Sequence, residues 1–119
     1  MFQFEQLEVW QKAIDFADLV CLKNRSFPLE ERFGLTYQMR RTAVSVSSKI
    51  AEGSSRISEF DFARFVEIAT GSLFEVVSES TIARRQQFLD EDLDFVTIYS
   101  LAKEQGRMLS GLRRMLLGN

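Results

Sequence analysis

Apolar residues recur along the chain at intervals of three and four, in four runs separated by short breaks. That period predicts helices over residues 6–24, 30–53, 59–85 and 91–117. In the first run Leu7, Trp10, Ile14, Ala17 and Cys21 make one stripe and Val9, Ala13, Phe16 and Val20 the next. Phe27-Pro28 closes the connection that follows, because proline fixes its own backbone and restricts the residue before it. The second run carries a core stripe of Leu35, Met39, Thr42 or Ala43, Val46 and Ile50, with a further apolar stripe of Phe33, Tyr37, Val44 and Ala51 on another side. The third runs Phe62, Val66, Ala69, Leu73, Val76, Ser80 and Ala83, widened by Phe60, Phe65, Ile68 and Phe74. A helix apolar on so much of its circumference is expected to contact more than one neighbour. The fourth repeats Phe95, Ile98, Ala102, Gln105, Leu109, Leu112 and Leu116.

The breaks carry helix-end chemistry. Gly53 is expected to take the left-handed conformation that closes a helix. Ser58 with Asp61 three residues on reads as a cap, and Asp90 as the next, with Glu91, Asp92 and Asp94 at a positive helix end. Gly118 ends the last run. Four helices joined by short connections predict an all-α fold, one antiparallel up-down-up-down four-helix bundle over residues 1–119, with longer helices of about 40 Å. Trp10 and the eleven Phe are expected in its core.

One line of polar residues does not suit either a core or an ordinary surface. Gln38, Arg41, Ser45, Ser48 and Glu52 follow one another at three and four along the second helix, so all five share one face. Ser45 and Ser48 are poor interior helix formers in water but small enough to let another helix approach. The line is therefore expected to face a protein surface. If the second and third helices turn near residue 56, Arg41 lies beside Gly71 and Gln38 beside Phe74, with Glu67 or Glu75 in reach of Arg41. Two chemistries stay open for the Arg40-Arg41 pair: an ion pair between helices or subunits that fixes register, or contact with an anion or phosphate.

Charge is uneven. The total is −2 and the isoelectric point about 5.2, unlike a typical basic nucleic-acid binder. Residues 57–83 hold five acidic groups against one basic, whereas residues 103–119 hold four basic against one acidic. Any anion-binding surface thus falls on the second helix, with Lys49, or on the basic ends formed by Arg84, Arg85, Arg107, Arg113 and Arg114. There is no histidine and Cys21 is alone, which excludes His-based catalytic triads, ordinary zinc sites and an internal disulfide. Glu67, Glu75 and Glu79 are read as helix-surface charges in preference to metal ligands. No phosphate loop and no apolar run of membrane-spanning length occurs. The expectation is a cytoplasmic protein that is not an enzyme, with no cofactor, metal, membrane or small-molecule substrate.

VWQKA at Val9–Ala13, FP at Phe27-Pro28, GLTYQMRRTAVSVSSKIAEGSSR at Gly34–Arg56 and FVEIATGSLFEV at Phe65–Val76 together resemble the four-helix bundle protein family, also called the 23S ribosomal RNA intervening-sequence proteins. The resemblance spans nearly the whole chain in order. It is similar, further off, to the accessory variability determinant of diversity-generating retroelements. The resemblance implies a pentameric assembly and contact with nucleic acid or ribonucleoprotein, and its signature polar positions fall on Gln38, Arg40, Arg41, Glu52, Arg56, Ser72 and Glu75. Lys49 stands where the family typically has Asn, and Arg85-Gln86-Gln87-Phe88 replaces a turn that usually contains Gly. The resulting expectation is a homo-oligomeric bundle, pentameric by resemblance, whose assembled surface binds RNA, a ribonucleoprotein or a protein partner. Gln38, Arg40, Arg41, Ser45, Ser48, Glu52, Arg56, Ser72 and Glu75 would make the assembly or partner contacts. The alternative is a structural protein-interaction module without nucleic acid.

Overall fold

The structure, a computed structural model, describes residues 1–118. Its four main helices are α1 (Glu8–Lys23), α2 (Leu35–Ser54), α3 (Glu59–Arg85) and α4 (Val96–Leu117), with no strand among the described residues. α1 and α3 each pack on both α2 and α4, which closes a four-helix bundle. Its long dimension is 43 Å, about the length of 27 α-helical residues at 1.5 Å each. Among the described residues, no helix is long and apolar enough to cross a membrane.

The predicted stripes form the core. Val9, Ala13, Phe16 and Val20 of α1, Met39, Ala43, Val46 and Ile50 of α2, Val66, Ala69, Leu73 and Val76 of α3, and Ile98, Ala102, Leu109 and Leu112 of α4 are all buried. Gln105 is buried among them because its Nε2 donates to Val9 O at 3.0 Å across the α1–α4 interface. Two expected caps are present. Ser58 Oγ accepts from Asp61 N at 3.0 Å, and Asp90 Oδ1 accepts from Asp92 N and Leu93 N at 2.9 and 3.0 Å.

Several sequence expectations are corrected. The first helix begins at Glu8, after a separate 3-10 turn at Gln3–Gln6. The second begins at Leu35 and not at 30, because Leu29–Glu31 forms a 3-10 turn and Gly34, at φ −105° and ψ −113°, breaks the backbone before the helix starts. Glu91–Phe95 is a wider π turn that leads into α4. Gly53 has no positive φ; it is a buried residue inside α2. A Cβ there would fall 2.6 Å from Phe65 Cβ and 2.8 Å from Phe62 Cδ1, so its role is close approach of α3.

The left-handed helix end is found elsewhere. Gln87 has φ +64°, its N–H reaches Arg84 O at 2.9 Å, and Phe88 N reaches Ala83 O at 2.8 Å, the paired bonds of a Schellman end. A glutamine thus holds the position that suits glycine. The Phe expectation also fails in part: Phe2, Phe33, Phe60 and Phe74 are between 65% and 81% exposed, because each points away from the bundle axis.

Two substitutions of opposite sign follow. Gln87→Gly should raise stability by about 0.5–1 kcal/mol, by relieving the left-handed strain. Gly53→Ala, which in an open helix would stabilise, should destabilise by about 1–3 kcal/mol through overpacking against Phe62 and Phe65. Urea unfolding of each variant against the parent chain measures both.

Candidate functional site

The polar line of α2 leads into a groove of about 530 Å³ between α2 and α3, lined by Phe33, Tyr37, Gln38, Arg41, Thr42 and Ser45 on one side and Ser72, Glu75 and Glu79 on the other. Helical spacing brings them together. Gln38, Arg41 and Ser45 recur at three and four on α2, while Ser72, Glu75 and Glu79 do so on α3. At the groove floor Ser45 Oγ and Ser72 Oγ are 3.0 Å apart. Of the two small side chains expected to admit another helix, Ser45 lies against α3 of the same chain, whereas Ser48 is exposed.

The register differs from the expected one. Ser45 meets Ser72 and Thr42 meets Glu79, so Arg41 lies level with residues 75–79 and not with Gly71, and Gln38 lies level with Glu79 and not with Phe74. The cause is the Gly53 contact with Phe62 and Phe65, which pins α3 several residues further along. Glu67 is not the partner of Arg41. It accepts from Arg113 Nε at 2.6 Å, so Arg113 is committed within the chain. Among the described residues Arg41 makes no ion pair, although Glu75 and Glu79 line the same groove.

Glu79 is the residue that sequence reasoning undervalued. Its Oε1 is buried without a hydrogen-bond partner. Thr42 Oγ1 lies 3.4 Å from its Oε2, but that hydroxyl also reaches Gln38 O at 2.7 Å. A hydroxyl has one proton, and the shorter bond claims it. The hydrogen bond that Thr42 donates to Glu79 is therefore the weaker of the two. Partial burial raises the carboxyl above its ordinary value of 4.5; a Thr42 proton turned toward it opposes the rise, and the charge on Glu75 adds to it. The available signal was the spacing of four from Glu75, which places both carboxylates on one helix face.

The remaining candidates divide among separate surroundings. Arg40 points away from the groove toward the end of α1, where Nε donates to Asn24 Oδ1 at 2.8 Å and Nη2 to Cys21 O at 3.4 Å. Asn24, fully buried, donates in turn to Thr36 O at 3.1 Å. Arg40 thus caps the end of α1, where a cation is favoured. Glu52 binds Lys49 at 3.1 Å and Arg56 at 3.6 Å, and the Arg56 guanidinium lies 4.5 Å from the Phe65 ring centre. Ser48 is exposed beside them. Arg84 covers Phe95 at 4.0 Å. Arg85, Arg107 and Arg114 are exposed. Because α3 and α4 are antiparallel, Arg84 and Arg85 lie at the other end of the bundle from Arg113 and Arg114. The basic ends are therefore not one patch.

A second, apolar groove of about 760 Å³ lies between α3 and α4, where Leu73, Phe74, Val77, Tyr99, Ala102 and Gly106 meet below Lys103 and Arg107. Among the described residues, no group of three or more His, Cys, Asp or Glu is placed to hold a metal ion.

The profile of one protein family, the 23S rRNA-intervening sequence protein family, matches residues 5–111. The chain belongs to that family. No curated protein matches it.

The Glu79 carboxyl gives a stability signature with a definite sign. A raised folded-state value means that its contribution is fully present below the unfolded value and is lost as pH rises through the folded one. In single copies of the chain, Glu79→Gln should match the parent below pH 4.5 and become the more stable of the two as pH rises to neutrality. Paired urea melts across that range measure the crossover, and a variant that is less stable at neutral pH would refute the assignment.

Proposed function

We propose that the bundle is a non-enzymatic subunit of a homo-oligomer whose assembled surface binds RNA or a ribonucleoprotein. The observation that carries the assembly is the outer face of α3. Phe60, Ile68, Phe74 and Ile82 are 65%, 47%, 67% and 49% exposed, and at 100° per residue all four fall on one side of the helix. Apolar surface of this kind on a monomer marks an interaction site. A second copy suits it because a net charge of only −2 offers little repulsion between copies. A non-enzymatic role is supported by the residue inventory, which lacks histidine and offers no pairing of nucleophile and base. A cytoplasmic setting belongs to the same proposal.

The RNA part rests on family membership and on exposed arginines. Arg85, Arg107 and Arg114 are exposed singly, too few in one copy for tight binding. Repetition around an assembly raises their effective concentration without any new contact, and the pentamer implied by the resemblance would present five sets. Two observations favour the second reading, a protein-interaction module without RNA: the basic groups of a single copy are split between opposite ends, and the whole chain is acidic.

Light scattering should report a mass that is a multiple of 13.7 kDa, about five-fold for a pentamer, and Phe74→Glu should reduce it. A wild-type mass of one copy overturns the assembly. A structured RNA should bind the assembly with an affinity that falls steeply with salt, more weakly when Arg107 and Arg114 are replaced by Ala. Absence of binding at low salt leaves only the protein-interaction reading.

A further inference from the structure

We propose that the α3–α4 groove of one copy receives the outer edge of α3 from a second copy, with the Phe74 ring seated over Gly106 and Glu75 beside Lys103. The presence of a second copy rests on the assembly proposed above, whereas the seating holds for any number of copies. The groove, about 760 Å³, has Leu73, Val77, Ala102 and Gly106 at its base and Lys103 and Arg107 on its α4 wall. No carboxyl lines it, and neither cation is in an ion pair among the described residues. Charge complementarity therefore favours an occupant with an apolar ridge and an acidic flank. α3 offers both. Residues 57–83 hold five acidic groups against one basic, and Phe74 projects from them, 67% exposed.

Two glycines point to a helix as the occupant. Gly71 stands on the exposed edge of α3 and Gly106 in the groove, each inside a helix and neither with a positive φ. Glycine is less favourable there than alanine, and no contact within the chain calls for it. A Cβ at Gly71 would meet no atom within 4 Å, and one at Gly106 only Leu73 Cδ2, at an ordinary 3.6 Å. At Gly53, by contrast, Phe62 and Phe65 already fill the space from within the chain. A missing side chain lets another backbone come close. Bare positions on both the ridge and the groove suit two helices brought together.

The heights along the bundle agree. Phe60 and Ile82 are about 33 Å apart along α3, most of a body 43 Å long, so a neighbour that covers both lies along the bundle. Rotation about an axis in that direction leaves heights unchanged. Gly106 faces Leu73 within the chain, and Phe74 follows about 1.5 Å further along α3. Such a rotation therefore brings Phe74 of one copy level with Gly106 of the next. α4 runs opposite to α3, so Glu75, two residues past Leu73, comes level with the position two before Gly106, next to Lys103. The Lys103 ammonium lies 6.0 Å from the Tyr99 ring centre, at the same wall of the groove. Arg107, one turn on, is not needed for this contact, so the exposed arginines of the RNA reading stay available.

Light scattering over a concentration series tests the seating through Gly106→Leu, with Gly111→Leu as control. Both glycines have room for a Cβ, but Gly111 is not among the residues that line the groove. Gly106→Leu should raise the dissociation constant of the assembly about tenfold or more, and Gly111→Leu should leave it unchanged. Circular dichroism and urea midpoints check that each variant keeps the bundle. Should Gly106→Leu fail to fold, the surface pair decides. Glu75→Lys and Lys103→Glu should each raise the constant about threefold, and the double variant should restore it. Equal effects of the two leucines, or charge changes that add instead of cancelling, overturn the seating and leave the assembly standing. A wild-type mass of one copy overturns both, and leaves the groove to an occupant other than this chain.

Discussion

The missing side chain at Gly53 lets the first turns of α3 lie directly on the end of α2, with Phe62 and Phe65 in the space that a Cβ would occupy. That contact is the register pin of the hairpin. Two rigid helices fixed at one end are fixed along their length, so the Gly53 contact decides that Ser45 meets Ser72 and that Glu79 comes level with Thr42. A displacement of one residue would turn α3 by about 100° and carry Glu75 and Glu79 out of the groove. The polar site is thus a consequence of an apolar contact about two to four turns away.

Arg40 and Arg41, adjacent in sequence, show what such placement does to identical chemistry. Arg40 falls on the side of α1 and completes a network in which Asn24, buried and polar, has both its oxygen and its nitrogen satisfied. Such a network rigidifies the corner it occupies. Arg41, 100° around the helix, faces carboxyls that it does not pair with. One arginine is consumed by the fold, and the other remains available to a contact outside it. The same distinction separates Arg113, bonded to Glu67, from Arg107 and Arg114.

The sequence pattern was sufficient to locate all four helices, the buried stripes and the Ser58 and Asp90 caps, because periodicity and capping are local properties. The start of α2 was missed because the 3-10 turn at Leu29–Glu31 has the same apolar and acidic composition as a first helical turn. Register was missed because it depends on which residues touch between helices, and a glycine in a helix signals close approach only once the approaching ring is known. The exposure of Phe60 and Phe74 lay beyond reach for a related reason. Periodicity reveals that a face is apolar, but in a bundle of four each helix has two neighbours, and an apolar third face looks the same in sequence whether it is covered or bare. Gln87 in place of glycine hid the one left-handed helix end before α4, and the carboxyl spacing of Glu75 and Glu79 read as an ordinary charged face.

The two parts of the functional reading do not stand on equal ground, and the structure orders them. The exposed apolar face of α3 is the ground for the proposed assembly, which does not depend on RNA. The proposed RNA contact does depend on assembly. The short connection over residues 86–90 turns the chain back from α3 into α4, and Arg113 pairs with Glu67 near the start of α3, so Arg85 and Arg114 lie toward opposite ends of a body 43 Å long. That separation is several times the screening length of about 8 Å at physiological salt, so the basic groups of one copy act on a polyanion as isolated charges. Only neighbouring copies that bring like ends together can join them into a surface. A change confined to the α3 face should therefore abolish both properties, whereas removal of the exposed arginines leaves the assembly intact.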